Sequence, residues 1–226
     1  MTLQSELLAS VVRRIENAAR TAGRDPRTVR LVAVSKQRTA DLIRGVAQTG
    51  QHDFGESYLQ EALPKLESLA DLKLTWHFIG RLQGNKTRAI AENFDWVHTV
   101  DRARTAERLN EQRPEALPPL NVCIQVQVTP ESQKGGIPPK EVEALARRIT
   151  GLPRLKLRGL MCIPPASEPE AVRQDFVALA DLAQQLRNVG IASDTLSTGM
   201  SGDFEAAIAA GSTLVRVGTA IFGERH

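Results

Sequence analysis

Short apolar runs, each followed by a stretch whose apolar residues recur at three- and four-residue steps, repeat along the whole chain. This alternation constrains the fold more than any other feature. A run such as LVAVSK, from Leu31 to Lys36, is too short for a helix and apolar on both faces, which reads as a strand buried on both sides. Further strands are predicted at His52 to Gly55, Thr75 to Gly80, Trp96 to Val100, Leu120 to Val128, Leu155 to Ile163, Thr195 to Gly199 and Thr213 to Gly218. Ahead of the first strand, Leu8, Val11, Ile15 and Ala18 trace an amphipathic helix that Gly23 and Pro26 end. Ser167 with Glu170 reads as a capping box before the stripe Val172, Phe176, Leu179, Ala183 and Leu186. Gly50, Gly190 and Gly211 stand where helices stop. The pairs Pro118–Pro119, Pro138–Pro139 and Pro164–Pro165 fall in connections.

Eight strands, seven following helices and one leading helix imply an α/β fold with parallel pairing and right-handed crossovers. Eight such units close into a (β/α)8 TIM barrel, with the leading helix in place of the missing last one. A doubly wound open sheet shares the alternation, but no G-x-G-x-x-G follows the first strand. No linker divides the chain, so residues 1–226 are expected to form one barrel domain. With 42% hydrophobic residues the chain is too apolar to be disordered. A formal charge of +3, without a dense basic block, argues against a dedicated nucleic-acid binder. No segment approaches the roughly 20 apolar residues of a membrane span, and MTLQSELLASVVRRIENAAR lacks the apolar core of a signal peptide. Cys123 and Cys162 lie inside apolar runs with neither disulfide nor zinc spacing, which points to a reducing, cytoplasmic setting.

In a barrel of this kind functional groups gather at the carboxyl ends of strands. Lys36 ends the first apolar run. Partial burial there would lower its pKa and free an amine for Schiff-base formation, against the plainer reading of a solvated lysine past a strand end. In LSTGMSGDFEAAIAAG a strand runs into Gly199, Ser201 and Gly202, and a helix starts near Asp203. Small residues there let backbone N–H groups approach an anion, although a tight turn with a capping Ser or Asp uses the same residues. Arg216 interrupts the apolar strand of TLVRVGTAIFGER, and Gly218 and Thr219 follow it. A buried guanidinium needs a partner, and a structural salt bridge competes with a ligand role. An amine on strand one and an anion cradle after strands seven and eight suit an aldehyde bearing a phosphate. Pyridoxal 5'-phosphate and the sugar phosphate of a lysine-dependent aldolase both satisfy this set. Other polar residues carry less weight. His77 reads as a hydrogen-bonded core histidine, and His52 and His98 lack metal-ligand spacing, so no metal is expected. Arg81, Lys86 and Arg88 either attract anions near the mouth or, more plainly, form a solvated helix start, and Lys134 stands in a Gly-rich loop as a flap element or an exposed turn.

The segments AVSK with Lys36, FGESYLQE, HFIGRLQGNK, GLMCIPP, LSTGMSGDFEAAI and VRVGTAIFG are spread over nearly the whole chain. Together they resemble the pyridoxal phosphate homeostasis proteins, also described as the proline synthetase co-transcribed or alanine racemase N-terminal-domain-like family. The resemblance implies a fold-type III barrel holding pyridoxal 5'-phosphate as a Schiff base on Lys36. It implies phosphate contacts around Ser201, Gly202, Gly218 and Thr219, Met200 beside the cofactor, and Arg216 facing the pyridine nitrogen. Ser57 replaces the asparagine that the family usually carries in its second motif, so a shorter hydroxyl stands there in place of an amide. A guanidinium against the ring nitrogen disfavours its protonation and weakens the ring as an electron sink. In alanine racemase, which the family resembles, a tyrosine from a separate domain opposes the lysine; this chain ends at His226 after the eighth strand, and its only tyrosine is Tyr58. The expected function is therefore reversible binding of the cofactor in intracellular vitamin B6 and amino-acid homeostasis, without a catalytic residue set. The protein is expected to be monomeric, with apo pyridoxal phosphate-dependent enzymes as recipients. An amino-acid racemase and a sugar-phosphate aldolase are the enzymatic alternatives.

Overall fold

Every apolar run forms a parallel strand, and the strands close on themselves in chain order. The computed structural model describes residues 3–130 and 135–224. The strands are β1 (Arg30–Val34), β2 (Asp53–Glu56), β3 (Thr75–Phe78), β4 (Trp96–Val100), β5 (Leu120–Gln125), β6 (Leu155–Met161), β7 (Thr195–Ser197) and β8 (Leu214–Val217). Around them lie α1 (Leu3–Thr21), α2 (Ala40–Ala47), α3 (Leu59–Ser68), α4 (Thr87–Asn93), α5 (Ala103–Gln112), α6 (Val142–Thr150), α7 (Pro169–Asn188), α8 (Phe204–Ala209) and α9 (Thr219–Phe222). β8 pairs with β1 in the register Leu31 to Val215 and Val32 to Arg216, which closes the barrel. Among the described residues no helix is long and apolar enough to cross a membrane.

Alternation along each strand sorts side chains into two layers. On β5, Leu120, Val122 and Ile124 face the helices and join the large apolar layer between sheet and helix ring. Cys123 points the other way and meets Trp96 and Met161 in a small cluster inside the barrel. Helix α1 packs against α8, α9 and α2, so it fills the gap in the ring, as its apolar stripe implied.

Four local expectations need correction. A helix does follow β8: α9 is a single turn, too short to show a periodic stripe. The N-cap of α7 is Glu168, not Ser167. Pro169 takes the first helical position, and the Glu170 carboxylate is drawn to Arg173 instead of reaching back. Several strands stop short of their apolar runs, β3 at Phe78 and β6 at Met161, and the remaining apolar residues become loop walls at the barrel mouth. Finally, Lys36 does not end β1 but stands two residues beyond it, in a turn.

Candidate functional site

At the carboxyl ends of the strands lies a cavity of about 290 Å3, and all seven residues nominated from the sequence line it. Lys36 comes from the loop after β1, Met200, Ser201 and Gly202 from the loop after β7, and Arg216, Gly218 and Thr219 from β8 and its end. Val34, Ile79 and Ile163 form apolar walls, and Ser57 is also on the lining.

The turn carrying Lys36 is pinned on both sides of the lysine. Ser35 is fully buried; its hydroxyl donates to Glu56 Oε1 at 2.7 Å, and its carbonyl accepts from Lys65 Nζ at 3.0 Å. Lys65 Nζ also donates to Glu56 Oε1 at 2.9 Å and to Glu61 Oε1. The same Glu61 oxygen accepts the backbone N–H of Gln37. Gln37 has φ +60°, a left-handed conformation that costs a non-glycine residue energy and therefore needs such a tether. Burial pushes the Glu56 carboxyl above its ordinary pKa, against the pull of Ser35 and Lys65.

The opposite corner is built from small residues. The loop after β7 passes so close to α8 that a Cβ on Gly199, at φ +96°, would stand 2.7 Å from Ala207 Cβ. Asp203, the N-cap of α8, takes the Met200 N–H on its carboxylate, which leaves Ser201 and Gly202 facing the cavity. A Cβ on Gly202 would meet nothing within 4 Å. Arg216 is 4% exposed, and its hydrogen bonds go to neutral acceptors: Nη1 to Ser197 O at 2.6 Å and Ser197 Oγ at 2.7 Å, Nη2 to Cys162 O at 3.1 Å. Burial lowers its pKa, but a guanidinium stays charged near neutrality. No carboxylate pairs with it among the described residues, so the salt bridge considered for Arg216 is replaced by carbonyl and hydroxyl acceptors.

An amine, a hydroxyl- and glycine-lined corner and a buried cation without an acid partner thus meet across one cavity. The alanine racemase N-terminal domain family matches residues 8–226. A pyridoxal phosphate homeostasis protein of Pseudomonas aeruginosa is 55% identical over 226 residues, covering 100% of this chain and 97% of that protein. The chain belongs to the pyridoxal phosphate homeostasis protein family. Its Escherichia coli relative of the same name is 51% identical over 96% of this chain and 95% of its own length. The solved structure of PipY from Synechococcus elongatus with PLP bound is 37% identical, with TM-score 0.86 over 97% of this chain and 100% of that one. Alanine racemase from Corynebacterium glutamicum shares the fold at 18% identity and TM-score 0.66; the match covers 97% of this chain and 63% of that enzyme.

Within the family motif FGESYLQE, sequence reasoning passed over the acids that matter most for the site. Glu56 and Glu61 hold the lysine turn from behind, through Lys65. Their signal was a carboxylate at the end of an apolar strand, which cannot be buried alone, and an i,i+4 Glu–Lys pair. Tyr58 is 55% exposed and does not line the cavity. Arg81, Lys86 and Arg88 are likewise off the lining, and Lys134 lies outside the described residues.

Proposed function

We propose that this chain binds pyridoxal 5'-phosphate in the mouth cavity through Lys36 and acts in vitamin B6 homeostasis, taking up and releasing the cofactor without amino-acid turnover. The observation that carries the reading is the convergence of Lys36, Arg216 and the small-residue corner on one cavity. Its volume sits at the small end of ligand sites, roughly 300–1,000 Å3, as a single substituted pyridine requires. When bound, pyridoxal phosphate supplies an aldehyde, which joins a primary amine with loss of water, and a phosphate. Lys36 is the amine. Ser201 and Thr219 offer hydroxyls, and Gly202 and Gly218 let backbone amides approach the phosphate oxygens. Val34, Ile79 and Ile163 would give a bound ring its apolar walls, and Met200 would add its side chain to them. Arg216 donates toward the ring nitrogen. As a donor that does not yield its proton near neutrality, it leaves that nitrogen unprotonated and the ring a poor electron sink.

The same lining supports a carrier over a racemase. Among the described residues that line the cavity, none has a carboxylate, imidazole or phenol to serve as a second base opposite Lys36. The two buried free thiols, Cys123 and Cys162, fit a cytoplasmic protein. Apo-enzymes that bind the cofactor more tightly are its recipients.

Borohydride reduction of the loaded protein followed by peptide mass mapping will place a pyridoxyl group on Lys36, and Lys36→Ala will lose the label and the absorption band while melting like the parent. A label concentrated on another lysine overturns the assignment. In deuterated water with L-alanine, α-proton exchange will match that of free pyridoxal phosphate; exchange at enzyme-like rates, on the order of 1–1,000 per second, restores the racemase.

A further inference from the structure

The interior of a (β/α)8 barrel is ordinarily filled by layers of branched aliphatic side chains. Here a line of polar side chains runs through it. At the amino-terminal end, Asp53 Oδ1 lies 2.9 Å from His77 Nε2 and 3.5 Å from Arg30 Nη1. His77 Nδ1 is 2.9 Å from His98 Nε2, His98 Nδ1 is 2.7 Å from Ser197 Oγ, and Ser197 Oγ accepts from Arg216 Nη1 at 2.7 Å. Both imidazoles are completely buried, and His77 stacks on Trp96 with ring centroids 5.4 Å apart.

Chemistry gives this line a direction from both ends. The Asp53 carboxylate only accepts, so His77 presents Nε2–H to it; in a neutral ring Nδ1 is then the acceptor. His98 must donate Nε2–H to that acceptor, and its own Nδ1 takes the hydroxyl proton of Ser197. From the other end, Arg216 only donates, so Ser197 Oγ accepts from it and is free to donate onward to His98. The two assignments agree, and every link is satisfied. Burial and the nearby positive charges of Arg30 and Arg216 hold the His98 pKa well below its ordinary value, and burial also lowers that of His77, which keeps the rings neutral.

We propose that Asp53, His77, His98 and Ser197 are positioning residues for Arg216: a one-directional hydrogen-bond relay that orients the guanidinium toward the cofactor cavity and couples it to the carboxylate at the far end of the barrel. Among the described residues Arg216 has no acid partner at its own end, and the relay is its continuous route to one. A fully apolar filling would avoid desolvating five polar groups, so the network makes sense where the orientation of its last member matters. The relay itself is a property of the protein alone; its effect on the cofactor rests on the reading that Arg216 faces the ring nitrogen.

Two measurements test it. The chain has four histidines, so long-range proton–nitrogen NMR of the cofactor-free, nitrogen-15-labelled protein, assigned by single substitutions, resolves each ring. His77 and His98 will both be neutral and carry the proton on Nε2. Asp53→Asn will shift the ring nitrogens of His98 and the side-chain nitrogens of Arg216, neither of which touches Asp53. An Nδ1–H tautomer at either histidine, or Asp53→Asn shifts confined to His77, overturns the relay. With pyridoxal phosphate loaded, Ser197→Ala will raise the Kd about tenfold, as expected for losing a hydrogen bond to a charged group, and will move the cofactor's visible band. Asp53→Asn will move the band in the same direction, whereas a purely structural network would leave it in place. If the relay behaves as expected by NMR but neither variant changes the band, the placement of Arg216 against the ring fails and the relay stands.

Discussion

At Lys65 one ammonium serves three oxygens: the Ser35 carbonyl, Glu56 Oε1 and Glu61 Oε1. The side chain is 9% exposed and that of Glu56 is fully buried, so solvent cannot stand in for a lost partner. Removing one member of such a pair leaves an uncompensated buried charge, which costs about 3–5 kcal/mol, whereas replacing both with apolar groups of similar volume is often close to neutral. Lys65→Ala is therefore expected to destabilise the protein by that amount in urea unfolding, and the double variant Glu56→Leu with Lys65→Met by much less. Because the cluster also holds Ser35 and Gln37, Lys65→Ala will slow borohydride labelling of Lys36. A loss below about 1 kcal/mol, the scale of an exposed pair, would show that water reaches the cluster.

In the proposed site, the ends of β7 and β8 rather than the helices around them supply the groups that would hold the phosphate. Ser201 and Thr219 share their task with backbone amides, so Ser201→Ala and Thr219→Ala are each expected to weaken pyridoxal phosphate binding by about 1 kcal/mol, a few-fold in Kd by equilibrium dialysis. Gly218 has an ordinary φ of −115°, so backbone strain is not its reason for being glycine. A Cβ there would sit 3.2 Å from the Val34 carbonyl oxygen, tight against the strand that leads into the Lys36 turn. Gly218→Val will therefore lose binding far more completely than either hydroxyl deletion, and will also lower the melting temperature. Free pyridoxal, without the phosphate, will bind much more weakly than the phosphorylated form. Equal affinity of the two would remove the phosphate role of this corner.

For the whole molecule, buried titrating groups bound the pH range of stability. His77 and His98 are held below the ordinary 6.5 in the folded state, so the unfolded chain takes up their protons first as pH falls. Stability is full above that value and declines below it, by up to about 1.4 kcal/mol per pH unit for each histidine. The raised pKa of Glu56 works in the opposite sense, favouring the folded state while its carboxyl is protonated. At the alkaline end, burial raises Cys123 to about 12 and Cys162 to about 11 from 9.0, so the unfolded chain ionises first and stability falls as pH rises past that ordinary value. Urea midpoints measured across pH should form a plateau with two shoulders. Cys123→Ala should soften the alkaline one, and His98→Gln the acid one. An acid shoulder unchanged in His98→Gln would mean that this ring is already charged in the fold.

The strands, their order and the end of the barrel where the cavity opens were legible in the sequence because they depend on local periodicity. A run apolar on both faces must be covered on both faces, and eight of them separated by amphipathic helices leave few arrangements. Lys36, Ser201 and Gly218 could be nominated for the same reason: each marks the end of a recognisable run. Spacing along the chain holds no record of which side chains meet across a closed sheet. Register sets Val32 beside Arg216 and Gly55 beside His77, and closure brings a lysine near the start of the chain to a cavity shared with its last strand. The Glu56–Lys65 cluster, the neutral partners of Arg216 and the line from Asp53 to Ser197 all depend on that closure. The apolar pattern decides that a side chain is buried; only the three-dimensional arrangement of strands decides which donor faces which acceptor once water has been excluded.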